Sequence, residues 1–294
     1  MTDMKQARSA MLIMLFVMLG TEAPAQSGGA NARQQEFELV SDVFENTRPV
    51  RVLLPPSYFE PELAERRFPV FYFTDGWDAW HGWGLPEVAE QLWDAGAIPE
   101  VVFIGVNSGG RTHESNDPAV DRANEYLPYR DPFWPEKRPD PNGDRFPDFL
   151  FDEVMPAVNN RFRTKTGADN TGLAGSSYGG IAVLYTALVR PDRIGYLLAE
   201  SPSLHVGRTE ILELVAHQDR LPLRVYLGVG TAEGETADDR ADTVASVEAL
   251  HVALGRRLGD DRLRLVVVEG ATHWYDAWKE RLPVALTFLL AGTE

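Results

Sequence analysis

Two kinds of apolar pattern alternate along the chain. Short runs that are apolar almost throughout fall at 70–73, 101–106, 172–174, 196–199, 225–229 and 263–268, the last broken only by Arg264. Runs of this kind are what strands buried on both faces of a sheet require. Between them lie segments with helical spacing, at 86–95, 146–162, 178–189, 209–217, 243–258 and 275–290. Strands alternating with helices predict an α/β fold, a mostly parallel central sheet with helices on both faces. Ahead of it, 37–44 and 50–54 alternate apolar with polar positions around Glu45-Asn46-Thr47-Arg48, which predicts an N-terminal antiparallel hairpin. The stretch 107–144 breaks the rhythm. It is polar, rich in Pro, Asp and Arg, and too long for an ordinary connection, so it reads as a functional loop over a site.

The first residues follow a different logic. Lys5 and Arg8 precede an apolar run at 10–19, then Gly20 and Ala23-Pro24-Ala25. A basic start, a short apolar stretch and a small-x-small site predict a signal peptide at 1–25, cleaved after Ala25. The run is about half the ~20 residues that span a bilayer, so no stable membrane anchor is predicted. Export, to the periplasm or beyond the cell, follows. Residues 26–34 are a flexible lead-in, and 35–294 hold a single domain without repeat or linker. The net charge of −16 argues against nucleic acid as a partner, because phosphate binding needs clustered Lys and Arg. The absence of cysteine excludes disulfides, thiolate metal sites and cysteine nucleophiles. Asp140-Pro141-Asn142-Gly143-Asp144 resembles the start of a calcium loop, but Arg145 and Phe151 stand where glycine and the closing carboxylate belong, so it is read as a solvated turn.

Candidate chemistry begins at Gly175-Ser176-Ser177-Tyr178-Gly179, a G-x-S-x-G sequence between an apolar strand and a helix rich in Ala and Leu. That setting places Ser177 on a sharp strand-to-helix turn, with glycines clearing space around its hydroxyl. A serine so placed needs a base. Of the six histidines only His273 follows the last strand, where the Ser–acid–His chain order expects it. The acid should come from the loop after 225–229, where Glu233, Glu235, Asp238 and Asp239 compete. Accepting the imidazole N–H favours a rigid position near the strand end, so Glu233 leads and Asp238 follows. Oxyanion donors are expected from the backbone N–H of Tyr178 and, after 70–73, from that of Trp77 in Thr74-Asp75-Gly76-Trp77. The cluster Trp77, Trp80 and Trp83 either lines a pocket or fills core.

With these residues assembled, the chain resembles the esterase family that includes esterase D and the enterochelin esterases. The likeness covers roughly 51–290 and rests on Val52-Leu53-Leu54-Pro55-Pro56-Ser57-Tyr58, Tyr72-Phe73-Thr74-Asp75-Gly76, Arg122 with Glu125-Tyr126, 174–180, Glu200-Ser201-Pro202-Ser203-Leu204, and 270–274 with Trp278. The resemblance implies an α/β-hydrolase fold and ester hydrolysis by a Ser–acid–His triad without cofactor, the acid in a G-x-x-E stretch that matches Gly230 to Glu233. Small-molecule or polysaccharide-linked esters are the implied substrates. Asp75, Arg122, Tyr126 and His205 are candidate substrate contacts, Arg122 either binding a substrate carboxylate or catecholate or pairing with Glu125. His205 departs from the aromatic that relatives often carry there. Two other functions compete: acyl transfer to an alcohol on the same scaffold, and a non-catalytic binding module that keeps the hydrolase shell.

Overall fold

The computed structural model describes residues 32–109, 118–133 and 141–292. The expected signal peptide, most of the lead-in, His113 and Trp134 lie outside them. Eight strands form one sheet: β1 (Gln34–Ser41), β2 (Asn46–Leu53), β3 (Val70–Thr74), β4 (Val102–Val106), β5 (Thr171–Ser176), β6 (Tyr196–Glu200), β7 (Arg224–Gly230) and β8 (Leu263–Val268). Their order is β1-β2-β4-β3-β5-β6-β7-β8. β2 runs antiparallel to both neighbours, and every pairing from β4 to β8 is parallel. This is the expected sheet with its N-terminal hairpin. The hairpin turn falls slightly earlier than its polar residues suggest. Ser41 Oγ accepts the Phe44 N–H at 3.0 Å and Glu45 adopts φ 53°, so the chain has already reversed before Asn46.

Two apolar layers sandwich the sheet, and the two-residue period of a strand sorts side chains between them. Along β3, Val70 and Tyr72 join one layer while Phe71 and Phe73 join the other. The helices Tyr178–Val189 and Ala237–Gly255 cover the first face with Ile181, Leu184, Val247 and Leu250. Leu85–Asp94 and Tyr275–Leu290 cover the second with Leu85, Val88, Leu282 and Leu286. Residues of β3, β4, β5 and β6 are buried throughout, which is why these strands read as continuous apolar runs.

Three departures have local causes. The helix expected at 146–162 is wound as a π turn over Phe149–Val154 before continuing as Met155–Arg161. Pro156 has no N–H to donate, and the turn ahead of it slips to the wider register. The helix expected to begin at 243 begins at Ala237, where the Thr236 hydroxyl and the Asp239 carboxylate form a reciprocal capping box. Two further helices, Gly76–His81 and Pro118–Tyr126, lie in segments read as loop: the turn that follows β3 and the polar stretch 107–144.

Candidate active site

Ser177 joins β5 to the helix Tyr178–Val189 with φ 56° and ψ −125°, a conformation that residues with a Cβ avoid. Neighbouring backbone holds it there. Its N–H donates to Glu200 O at 3.0 Å, and its carbonyl accepts the Ser203 N–H at 3.1 Å, so the segment after β6 clamps the turn from both sides. The flanking glycines answer to close approach rather than to flexibility. A Cβ on Gly175 or Gly179 would lie 2.6 Å or 2.4 Å from Thr74 Oγ1. Ser176, the competing serine of the motif, is buried.

The loops after β7 and β8 are joined to each other. Thr231 N–H donates to Val268 O and Ala232 N–H to Ala271 O, each at 3.0 Å, and Gly270 N–H reaches Thr231 Oγ1 at 2.9 Å. Gly230 permits this contact, since a Cβ there would meet Ala271 O at 2.1 Å. The joined loops bring Glu233 Oε2 to 2.8 Å from His273 Nδ1. Glu233 is 2% exposed, and its Oε1 accepts from Ser201 Oγ and from Gly230 N–H, both at 2.6 Å. Burial pushes its pKa up. The hydrogen bonds from His273, Ser201 and Gly230 outweigh that and hold it below the usual carboxylate range. Of the other acids, Glu235 and Asp238 are exposed and Asp239 is committed to the helix cap. The His273 ring stands edge-on to Trp278 with centroids 5.2 Å apart. Ser177, Glu233 and His273 line one cleft of about 330 Å³, together with Tyr178, Ser203 and His205.

The remaining expected contacts divide. The Trp77 N–H does not face the cleft as an open donor. It donates to Asn107 Oδ1 at 2.9 Å, because Asn107 leaves β4 beside β3 and its side chain caps the short helix Gly76–His81. Tyr178 supplies the first residue of its helix, so its N–H belongs to the positive end of that dipole. Arg122 does not pair with Glu125. Its Nε and Nη2 bind Asp75 at 2.7 and 2.6 Å, while Glu125 is taken by buried Arg48 through two contacts of 2.9 Å. Asp75 N–H donates to Tyr126 Oη at 3.0 Å, and both residues are buried. Asp75, Arg122 and Tyr126 thus form one hydrogen-bonded group, with Asp75 Oδ2 3.1 Å from where a Gly179 Cβ would stand. His205 does line the cleft. Of the tryptophan cluster, Trp80 and Trp83 are core and Trp77 is exposed, stacked on His81 at 3.7 Å.

Two residues of the site carry little sequence signal. Asp131, fully buried, accepts from Tyr178 Oη at 2.7 Å and lies 3.8 Å from His205 Nε2, a contact made from the far end of the long polar stretch. Ser201 supports Glu233, and its only mark in the sequence is its place directly after β6 in Glu200-Ser201-Pro202-Ser203.

A mostly parallel sheet with a strained serine after β5, a carboxylate after β7 and an imidazole after β8 defines an α/β-hydrolase. Within that class the chain belongs to the Esterase family, described as "Putative esterase", whose profile matches residues 41–289. It is 25% identical over 241 residues to an endo-1,4-beta-xylanase/feruloyl esterase of Xylanibacter ruminicola, which covers 79% of this chain and 28% of that protein. Among solved structures it is similar to a ferulic acid esterase, with TM-score 0.65, 19% identity, and 87% and 97% of the two chains covered. The enterobactin esterase of Shigella flexneri superposes with TM-score 0.68 at 21% identity, over 87% of this chain and 58% of that one. At these identities the structural likenesses establish the fold.

Proposed function

We propose that this esterase is a serine enzyme that hydrolyses carboxylic esters through an acyl-enzyme, and that it works outside the cytoplasm. The observation that carries the mechanism is the contact of Glu233 with His273 Nδ1 in the cleft that also holds Ser177. With Nδ1 committed to the carboxylate, the Nε2 lone pair is the part of the imidazole able to take a proton. Ser177 Oγ then attacks the ester carbonyl as its proton passes to His273 Nε2, and Glu233 stabilises the imidazolium. The oxyanion develops at the start of the helix Tyr178–Val189, beside the Tyr178 N–H. His273 returns the proton to the departing alkoxide as the C–O bond breaks, leaving Ser177 acylated. A water repeats the sequence and releases the acid. The aromatic side chains of Tyr178, His205 and Phe133, with ring centroids 6.4 and 5.3 Å apart about His205, suit a flat acyl group. The basic, apolar and small-residue order of 1–25 supports export.

A fluorophosphonate probe tests the assignment directly. The wild-type protein should be labelled once, and Ser177→Ala should abolish labelling and lower kcat by about 10⁶. A variant within tenfold of the wild-type rate would remove Ser177 from the chemistry.

A further inference from the structure

Ser201 follows β6 with φ 44° and is 2% exposed, a second strained position beside the first. Its hydroxyl meets three groups: Glu233 Oε1 at 2.6 Å, Trp278 Nε1 at 2.9 Å and Arg281 Nη2 at 3.5 Å. Indole N–H and guanidinium can only donate. Both must therefore use the lone pairs of Ser201 Oγ, which leaves its single proton for Glu233 Oε1. Gly230 N–H donates to the same oxygen. Two donors fix Oε1, and Oε2 is the edge presented to His273.

Arg281 is 4% exposed, held to Glu200 Oε2 through Nε at 2.8 Å and Nη2 at 2.7 Å, and its Nη2 stands 4.0 Å from Glu233 Oε1. Among the described residues, Glu200 Oε1 and Arg281 Nη1 are buried without a hydrogen-bond partner. A buried ion pair with open valences adds little to stability compared with apolar residues of the same size. Its visible consequences are that it fills the acceptor side of Ser201 and sets a positive charge beside the Glu233 carboxylate.

We propose that Ser201 and Arg281 are positioning residues for ester hydrolysis: together they force the Ser201 proton onto Glu233 and orient that carboxylate toward His273. The inference rests on the serine-triad reading above. The titratable and charged groups around it are His273, Arg281 and Glu200 about Glu233, with Tyr226 of β7 facing Glu200.

The test is steady-state hydrolysis of p-nitrophenyl acetate between pH 5 and 9 by the full chain, with thermal melts confirming folded variants. Ser201→Ala should lower kcat about ten- to hundredfold while KM stays within about twofold. The acid limb of kcat/KM should move to higher pH, because the Glu233–His273 pair loses a donor to its anionic member and holds a proton more tightly. Arg281→Lys, which keeps the charge, should leave the limb near its wild-type position. The neutral double variant Glu200→Gln/Arg281→Gln should move it upward. A folded Ser201→Ala with unchanged kcat, or with a lower kcat and an unmoved limb, overturns the proposal. Where Ser201→Ala does not fold, an unmoved limb in the double variant does the same. Ser177→Ala run alongside separates the two ideas. If it keeps the wild-type rate, the triad itself is wrong. If it is inactive while Ser201→Ala behaves as wild type, only the positioning role falls.

Discussion

Glu233→Gln preserves shape and removes charge, and the surrounding donors dictate what happens next. The wild-type carboxylate accepts from three groups: Ser201 Oγ, Gly230 N–H and His273 Nδ1. Glutamine offers one acceptor oxygen and one NH₂. If the NH₂ occupied the Oε1 position, it would face the Gly230 N–H and a hydroxyl whose lone pairs already serve Trp278 and Arg281, two donor–donor clashes in a buried site. Leaving buried donors unmatched costs about 1–3 kcal/mol each. The glutamine oxygen therefore takes that position and the NH₂ turns to His273. The imidazole must then accept at Nδ1 and carry its proton on Nε2, the tautomer unable to receive the Ser177 proton. The expected loss in kcat is about 10⁴, the size that accompanies a wrong tautomer in a serine triad, or about 5.4 kcal/mol. The assay is steady-state ester hydrolysis near pH 8 with burst-phase titration of active sites, so that misfolded protein is not counted as slow enzyme. KM should change little. A folded variant that retains more than a tenth of the wild-type kcat would refute the tautomer argument and, with it, the role of Glu233.

Two further outcomes follow from strain and burial. Ser177→Gly and Ser177→Ala should both be inactive, yet the glycine variant should melt about 2–12 °C higher, because only glycine adopts φ 56°, ψ −125° without the ~1–3 kcal/mol strain that alanine keeps; equal melting temperatures would mean the turn is unstrained. Glu200 is pushed up to about 7 by burial, against the pull of Arg281, from an ordinary value of 4.5. The folded state thus holds a proton that the unfolded state has released, so its stability contribution is full below pH 4.5 and is lost as pH rises through 7. Urea midpoints of wild type should fall relative to Glu200→Gln between pH 5 and 8, and a constant difference across that range would contradict the assignment.

Local chemistry made much of this site readable in the sequence. The helix Tyr178–Val189 and the strand Leu263–Val268 have the bounds their patterns predict, because a glycine-flanked turn opens the helix and an apolar run broken only by Arg264 fills the strand. The acid was harder. Its loop holds four carboxylates, and what separates them is the capping box of Thr236 with Asp239, a short motif that ends the loop sooner than hydrophobic spacing suggests. Contacts across the fold left no such trace. Arg122 lies three residues from Glu125, yet it pairs with Asp75 forty-seven positions away, since the helix Pro118–Tyr126 turns it toward the serine turn and leaves Glu125 to Arg48. The Trp77 N–H is engaged for the same reason, its acceptor being the Asn107 side chain just past the end of β4.

The joining of the loops after β7 and β8 bears on how such an enzyme can be altered. Because Ala232 is tied to Ala271 and Thr231 to Gly270, the loops that carry the carboxylate and the imidazole are hydrogen-bonded to each other. New substrate preferences are then expected from the part of the cleft lined by Tyr178 and His205, with Phe133 packed beside His205. A mutant library confined to that part should retain turnover while exploring specificity, whereas one spread over 230–233 and 270–273 should yield mostly inactive clones.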